Sequence, residues 1–306
     1  MKIILLIFLV STFFLVACER PQPTSNKANP NALLVPDTAT MVTAWDVPRN
    51  PVTDHSLDNS TAGEQIRYGF RIFTNTKKEA ARFSRNNLVC NNCHLNAGQK
   101  EKAMPLVGVA AVYPEYNKRA GHVFTLEDRI VGCFTRSQNS AYDSTSDEFP
   151  TRSSPEVQAV TRYIEWISEG LGKDLPWRGH NVIAKENLIP VGKLDTKRGD
   201  ALFKEKCSNC HGENGQGVEI GDKKAGPLWG PDSWNDGAGA ARIYTLAGMI
   251  RYSMPYLSPG SLTDEEAQLI SAYINSKPRP VYTAKHQDYR TEKLPSDAVY
   301  YTASSR

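Results

Sequence analysis

The chain of 306 residues lacks any block of like charge. Its 36 Lys and Arg stand against 33 Asp and Glu, a formal net charge of +3, which argues against nucleic acid as a partner. Long apolar runs are also missing, with one exception at the start. Residues 1–18 read MKIILLIFLVSTFFLVAC, and that run is short for a membrane-spanning helix. Cysteine is sparse: the six are Cys18, Cys90, Cys93, Cys133, Cys207 and Cys210. A zinc site would need more ligands at regular spacing than these provide.

What stands at the start is an export signal. Lys2 precedes the apolar run, which closes on Leu15-Val16-Ala17-Cys18, the order of charge, apolar stretch and small-residue cleavage site. It resembles a bacterial lipoprotein signal, which predicts removal of residues 1–17 and an acylated Cys18 as membrane anchor. An ordinary signal peptide or a single spanning helix are the alternatives. The next residues are rich in Pro, Asn, Thr and Ser and cannot bury enough apolar surface to offset their ordering entropy. They predict a flexible tether over 18–55. The remainder suits two modest domains, placed at 56–190 and 191–285, with a tail over 286–306.

Two C-x-x-C-H motifs, Cys90-Asn91-Asn92-Cys93-His94 and Cys207-Ser208-Asn209-Cys210-His211, point to covalent haem. Two thiols three positions apart can add to the two vinyl groups of one porphyrin, and the adjacent histidine reaches the iron from one face. Each motif sits in a similar frame. Met104-Pro105-Leu106 follows the first and Gly226-Pro227-Leu228 the second, and each half closes on a helix pattern containing Tyr-Ile, at Tyr163-Ile164 and Tyr273-Ile274. One of these helices starts at Ser154-Pro155, the other at the capping box of Thr263 and Glu266. A leading helix fits Arg198–Lys206. The repeated unit resembles small monohaem cytochrome c domains, which implies a mainly α fold of two tandem domains, each with one haem c. In that family the carbonyl of the Gly-Pro-Leu proline orients the ligand histidine, and a methionine supplies the sixth ligand. Met254, in Ser253-Met254-Pro255, is the better candidate; Met249 lies in an apolar stretch and reads as core.

The first copy has no methionine at the matching place. Met254 follows Pro227 by 27 positions, and Cys133 follows Pro105 by 28. Thr125-Leu126-Glu127-Asp128 reads as a helix start, and a helix continuing from it puts Arg129, Cys133 and Ser137 on one stripe. Lys118, Arg119 and Arg136 add positive charge nearby. Cys133 could instead be a small buried hydrophobe, and His122 is a rival ligand for the first haem. An oxidising compartment and basic neighbours favour a reactive thiolate.

At Tyr113-Pro114-Glu115-Tyr116, Asp128-Arg129-Ile130-Val131-Gly132-Cys133-Phe134, Arg136-Ser137 and Met254-Pro255, the chain resembles the dihaem, tetrathionate-forming thiosulfate dehydrogenase family. The resemblance covers about residues 60–280 and implies His94/Cys133 and His211/Met254 axial ligation of two covalent haems c. It implies that Arg119, Arg129 and Ser137 hold an anionic substrate. Cys133 would then be both iron ligand and nucleophile, forming a Cys-S-sulfonate adduct with one thiosulfate and released by the second. An external acceptor such as a small cytochrome c would take the electrons, in the periplasm. Ser253 and Ser140 depart from the pattern expected. The alternative is a membrane-tethered electron-transfer cytochrome without its own substrate; a third reading is transfer of thiosulfate to a carrier-protein thiol.

Overall fold

The computed structural model describes residues 34–35, 47–143, 145–220 and 223–301. The export signal, Cys18 and most of the tether lie outside the described residues. Among the described residues, six helices of eleven or more residues carry the architecture: α1 (Thr61–Thr74), α2 (Leu126–Ser137), α3 (Pro155–Ile167), α4 (Thr196–Lys206), α5 (Ile243–Ser253) and α6 (Asp264–Asn275). Sheet among these residues is confined to two short hairpins, one of them pairing β1 (Glu115–Asn117) antiparallel with β2 (His122–Phe124).

Local chemistry accounts for the helix starts. Ser60, Thr125, Asp195 and Thr263 each accept a hydrogen bond from a backbone N–H of the first turn, and Thr125/Asp128 and Thr263/Glu266 close full capping boxes. Each satisfied cap contributes about 1 kcal/mol. Pro155 sits in the first turn of α3, where its missing N–H has no partner to lose. The leading helix of the second domain begins two residues earlier than the pattern at Arg198 suggests, because Asp195 caps it.

The two domains repeat one packing solution. In the first, α1 crosses α3; in the second, α4 crosses α6. Each crossing is made at a glycine. A Cβ on Gly69 would run into the Ala159 carbonyl with Tyr163 Cβ at 2.7 Å, and one on Gly199 into the Leu269 carbonyl with Tyr273 Cβ at 2.8 Å. One turn on, Phe73 meets Tyr163 at 5.8 Å between ring centroids and Phe203 meets Tyr273 at 5.5 Å. The Tyr-Ile pairs seen in the sequence are therefore the bulky half of a glycine–tyrosine crossing.

The domains lean on each other next to both haem motifs. Leu88, two residues before Cys90, packs into the second domain's core. Gly226 comes so near that a Cβ there would lie 2.5 Å from Leu88 Cδ2 and 3.1 Å from Asn92 Oδ1. Asn86 Nδ2 donates to the Ser137 and Ser233 carbonyls at 2.7 and 3.3 Å. Residues 286–301, set apart as a tail in the sequence, are packed into the body. Asp288 is 3% exposed and accepts two 2.7 Å hydrogen bonds from Arg136, and buried Asp297 holds Arg242. Paired carboxylates this buried require the chain around them to be ordered.

Candidate functional site

The first haem motif forms a short 3-10 turn, Cys90–Asn92, held by Thr76, whose Oγ1 accepts from the Cys90 N–H at 3.0 Å. His94 Nδ1 donates to the Met104 carbonyl at 2.7 Å. That bond leaves the lone pair of Nε2 for a metal and fixes the ring. Burial lowers the His94 pKa to about 4, with the Met104 carbonyl opposing the fall, so the ring is neutral, as a ligand must be. The acceptor is one residue earlier than the family rule assigns. It is the carbonyl of the amide that Pro105 closes, not that of the proline itself, and the proline ring stiffens that amide.

Cys90, Cys93 and His94 line a cavity of about 390 Å³, whose walls also include Arg129, Cys133 and Ser137. The helix periodicity read from Thr125 onwards holds: all three of these α2 residues face one space. Arg129 Nη1 donates to Cys133 Sγ at 3.0 Å, a contact suited to a sulfur carrying negative charge. The Arg129 pKa is raised, chiefly by the Cys133 charge and against the effect of burial. Arg129 has ample accessible area, yet protein surrounds it; the area it exposes faces the cavity. Cys133 is partly exposed on that same wall, so it is not a sealed core thiol.

Other residues take different places. Arg119 does not line the cavity; its guanidinium donates to the Gly237 carbonyl at 2.5 Å and to Tyr289 Oη at 3.3 Å. Arg136 pairs with Asp288 instead of facing Cys133. His122 is exposed on β2 with Nδ1 3.2 Å from the Ala120 carbonyl, outside the cavity wall, so nothing supports it as the rival ligand. Tyr113 joins the wall, its pKa raised by burial and lowered by Arg129. Its signal is the Tyr113-Pro114-Glu115-Tyr116 motif, which carries a family resemblance but by itself gives Tyr113 no role. Trp177 and Arg178, towards the end of the first domain, also line the cavity, Trp177 as part of that domain's core; an aromatic–basic pair beyond α3 is a weak signal.

The second motif lies on the single turn Ser208–His211. Burial raises the Cys207 pKa to about 12 and lowers that of His211. His211 Nδ1 is buried without a hydrogen-bond partner; the Gly226 carbonyl, again one residue before the proline, opposes the fall in its pKa but stands outside hydrogen-bonding geometry. Met249 is buried within α5, whereas Met254 is the extended C-cap residue, partly exposed. Both sites fit a covalent porphyrin. The first offers two thiols, a neutral oriented imidazole and an apolar cavity, the second two thiols and a buried imidazole with an unpartnered nitrogen.

Residues 79–172 match the family described as SoxA/TsdA, cytochrome c domain, and residues 194–274 match cytochrome C oxidase, cbb3-type, subunit III. The thiosulfate dehydrogenase of Stutzerimonas stutzeri (strain A1501) is 37% identical over 233 residues, 75% of this chain and 72% of that protein. The chain belongs to the thiosulfate dehydrogenase family. The thiosulfate dehydrogenase of Allochromatium vinosum is 34% identical over 74% of this chain and 82% of its own length. Among solved structures, the "as isolated" form of the thiosulfate dehydrogenase TsdBA from Marichromatium purpuratum matches at 36% identity with a TM-score of 0.66. That match covers 74% of this chain and 49% of the solved chain, so this thiosulfate dehydrogenase homologue spans about half of that protein's length. Two tandem cytochrome c domains, helix-rich with little sheet, are thus the architecture of this thiosulfate dehydrogenase homologue, and such domains carry covalent haem c.

Proposed function

We propose that the chain is a periplasmic dihaem enzyme that joins two thiosulfate dianions into tetrathionate and hands two electrons to an external acceptor such as a small cytochrome c. The observation that carries this reading is the 3.0 Å hydrogen bond from Arg129 to Cys133 Sγ, inside the cavity lined by Cys90, Cys93 and His94. Cys90, Cys93, Cys207 and Cys210 would attach two porphyrins, with His94 and Cys133, and His211 and Met254, as the axial ligands. When bound, the haems supply one-electron acceptors of unequal potential, thiolate ligation lowering it and thioether ligation raising it.

The chain's own residues set up the sulfur chemistry. Arg129 holds the first dianion beside Cys133, and Ser137, one turn further along α2, offers a hydroxyl to the sulfonate. A bond forms between Cys133 Sγ and the outer sulfur of thiosulfate as two electrons pass to the external acceptor, leaving the thiosulfonate Cys133 Sγ–S–SO₃⁻, which keeps both thiosulfate sulfurs and is one sulfur longer than an S-sulfonate. The outer sulfur of a second thiosulfate attacks the sulfane sulfur of this adduct. The new S–S bond completes tetrathionate, and Cys133 departs as thiolate. Covalent attachment splits one repulsive encounter between dianions into two, and a desolvated cation offsets the charge in each. Arg119 is the second cation in this reading; at rest its guanidinium is taken by Gly237 and Tyr289, so its contribution is smaller than that of Arg129. Run backwards, the same bonds reduce tetrathionate.

Mixing the holoprotein with thiosulfate and ferricyanide tests the reading. One tetrathionate per two ferricyanide reduced is the expected result. Haem-loaded protein that makes no tetrathionate would favour the electron-shuttle alternative.

Two further outcomes are expected. The Cys18→Ser protein should be recovered as soluble or uncleaved chain, since acylation of Cys18 is the proposed membrane anchor; a correctly processed variant still recovered with membranes argues against lipidation. Met254→Gly should keep both haems attached, lower the potential of the second and slow electron delivery. A second-haem spectrum that responds only to Met249→Gly would mean that the ligand is the buried methionine.

A further inference from the structure

The loop that orients His94 meets the second domain at a buried hydroxyl. Ser253 ends α5 and has no exposed surface, and its Oγ donates a 3.0 Å hydrogen bond to the Lys102 carbonyl. Two residues further on, the Met104 carbonyl accepts from His94 Nδ1 at 2.7 Å. On the other side of the same contact, Met254 follows Ser253 directly. The backbone between these points is not relaxed. Lys102 and Met104 both adopt left-handed φ, 58° and 51°, with Ala103 fully buried between them. Residues with side chains hold such φ values only where the surroundings over-determine them. Ser253 is one of those surroundings, and it comes from the other domain.

We propose that Ser253 is a positioning residue that couples the two haem sites. By one hydrogen bond it holds the 102–104 segment that orients His94 and fixes the residue from which the Met254 segment departs. The proposal rests on the dihaem reading above, including Met254 as a ligand, but not on thiosulfate as substrate. Its chemistry is that of an outer hydrogen bond. The group that accepts from Nδ1 sets the tautomer and basicity of a ligating imidazole, so a displaced Met104 carbonyl changes how strongly His94 binds. With its hydroxyl engaged and no surface exposed, Ser253 acts as a fixed anchor and not as a group that moves to the metal.

A serine that only filled space would affect stability and leave both redox centres as they were. The test is a redox titration of the haem-loaded Ser253→Ala protein without thiosulfate, followed by optical and EPR spectra. The signal altered in Cys133→Gly marks the first haem. In Ser253→Ala, the midpoint potentials and low-spin signals of both haems are expected to shift. In Ser253→Thr, which keeps a hydroxyl, both are expected to stay near those of the unmodified protein. A shift confined to the second haem, or no shift at all, in Ser253→Ala overturns the coupling, as does a Thr variant that behaves like the Ala one. Because no thiosulfate is present, a chain that makes no tetrathionate can still pass this test, and one that makes it can still fail.

Discussion

Cys133→Gly is expected to retain two covalent haems and a folded chain, to change the spectrum of the first haem alone, and to lower thiosulfate turnover by about 10⁴-fold or more, as loss of a covalent nucleophile does. The fold should tolerate the change. Cys133 lies within α2 and only partly in the core, so the helix-interior glycine costs about 1 kcal/mol. Attachment through Cys90 and Cys93 does not involve Cys133. Arg129→Ala separates the two roles on the same helix stripe. It removes the charge-assisted hydrogen bond to Sγ, worth about 1.5–3 kcal/mol, and should lower kcat/KM roughly 10- to 100-fold while cysteine ligation persists. Normal turnover by a fully haem-loaded Cys133→Gly protein would sink the mechanism and leave an electron shuttle.

Gly199→Ala is expected to unfold the second domain roughly 8–16 °C below the unmodified chain, the net of about 3 kcal/mol of crowding less about 1 kcal/mol of helix propensity. Alanine is ordinarily the better helix former by about 1 kcal/mol, so propensity alone predicts a gain. The crossing decides the sign. The added methyl meets the Leu269 carbonyl oxygen and the Cβ of Tyr273, which are backbone or backbone-attached and cannot swing aside. Prising α4 from α6 costs about 3 kcal/mol, and each kcal/mol moves the midpoint of a domain this size by about 4–8 °C. Gly69→Ala should do the same to the first domain through Ala159 and Tyr163. Gly132→Ala is the control: that helical glycine has open space where its Cβ would go, so the same substitution should be neutral or stabilising. Thermal unfolding of all three, followed by circular dichroism, distinguishes crowding at a crossing from a general effect of alanine; a stabilised Gly199→Ala would refute the crossing argument.

Much of this site could be read from the chain because its parts are local. C-x-x-C-H is five residues, and Arg129, Cys133 and Ser137 are separated by single helical turns, so 3.6-residue periodicity alone brings them to one wall. The capping box at Thr263 and the helix start at Thr125 are equally local and are found where the sequence placed them; that Thr125 also closes a box with Asp128 is seen in the fold. What escaped depends on contacts with no local pattern. Arg136 reads in the sequence as positive charge near Cys133; only the fold reveals that Asp288, 152 positions away, neutralises it. The Arg119 guanidinium is held by the Gly237 carbonyl and Tyr289 Oη, neutral acceptors that engage it without cancelling its charge, and this too has no local pattern. Gly69 and Gly199 carry a signal that only the fold makes legible, a glycine four residues before a phenylalanine in both copies, because a glycine in a helix looks like a weakness until its crossing partner is known. The offset from proline to the preceding carbonyl at His94 lies below the grain of any motif, since it depends on which way one peptide plane faces.

The clamp between Arg136 and Asp288 ties the far end of the chain to the helix that bears Cys133. Without that carboxylate the mostly buried guanidinium of Arg136 would be an uncompensated charge behind α2, which is costly. The wall of the first domain is therefore completed by a residue 152 positions further along the chain. Two domains that repeat one packing solution are thus not interchangeable modules, because the first borrows its closing charge from beyond the second.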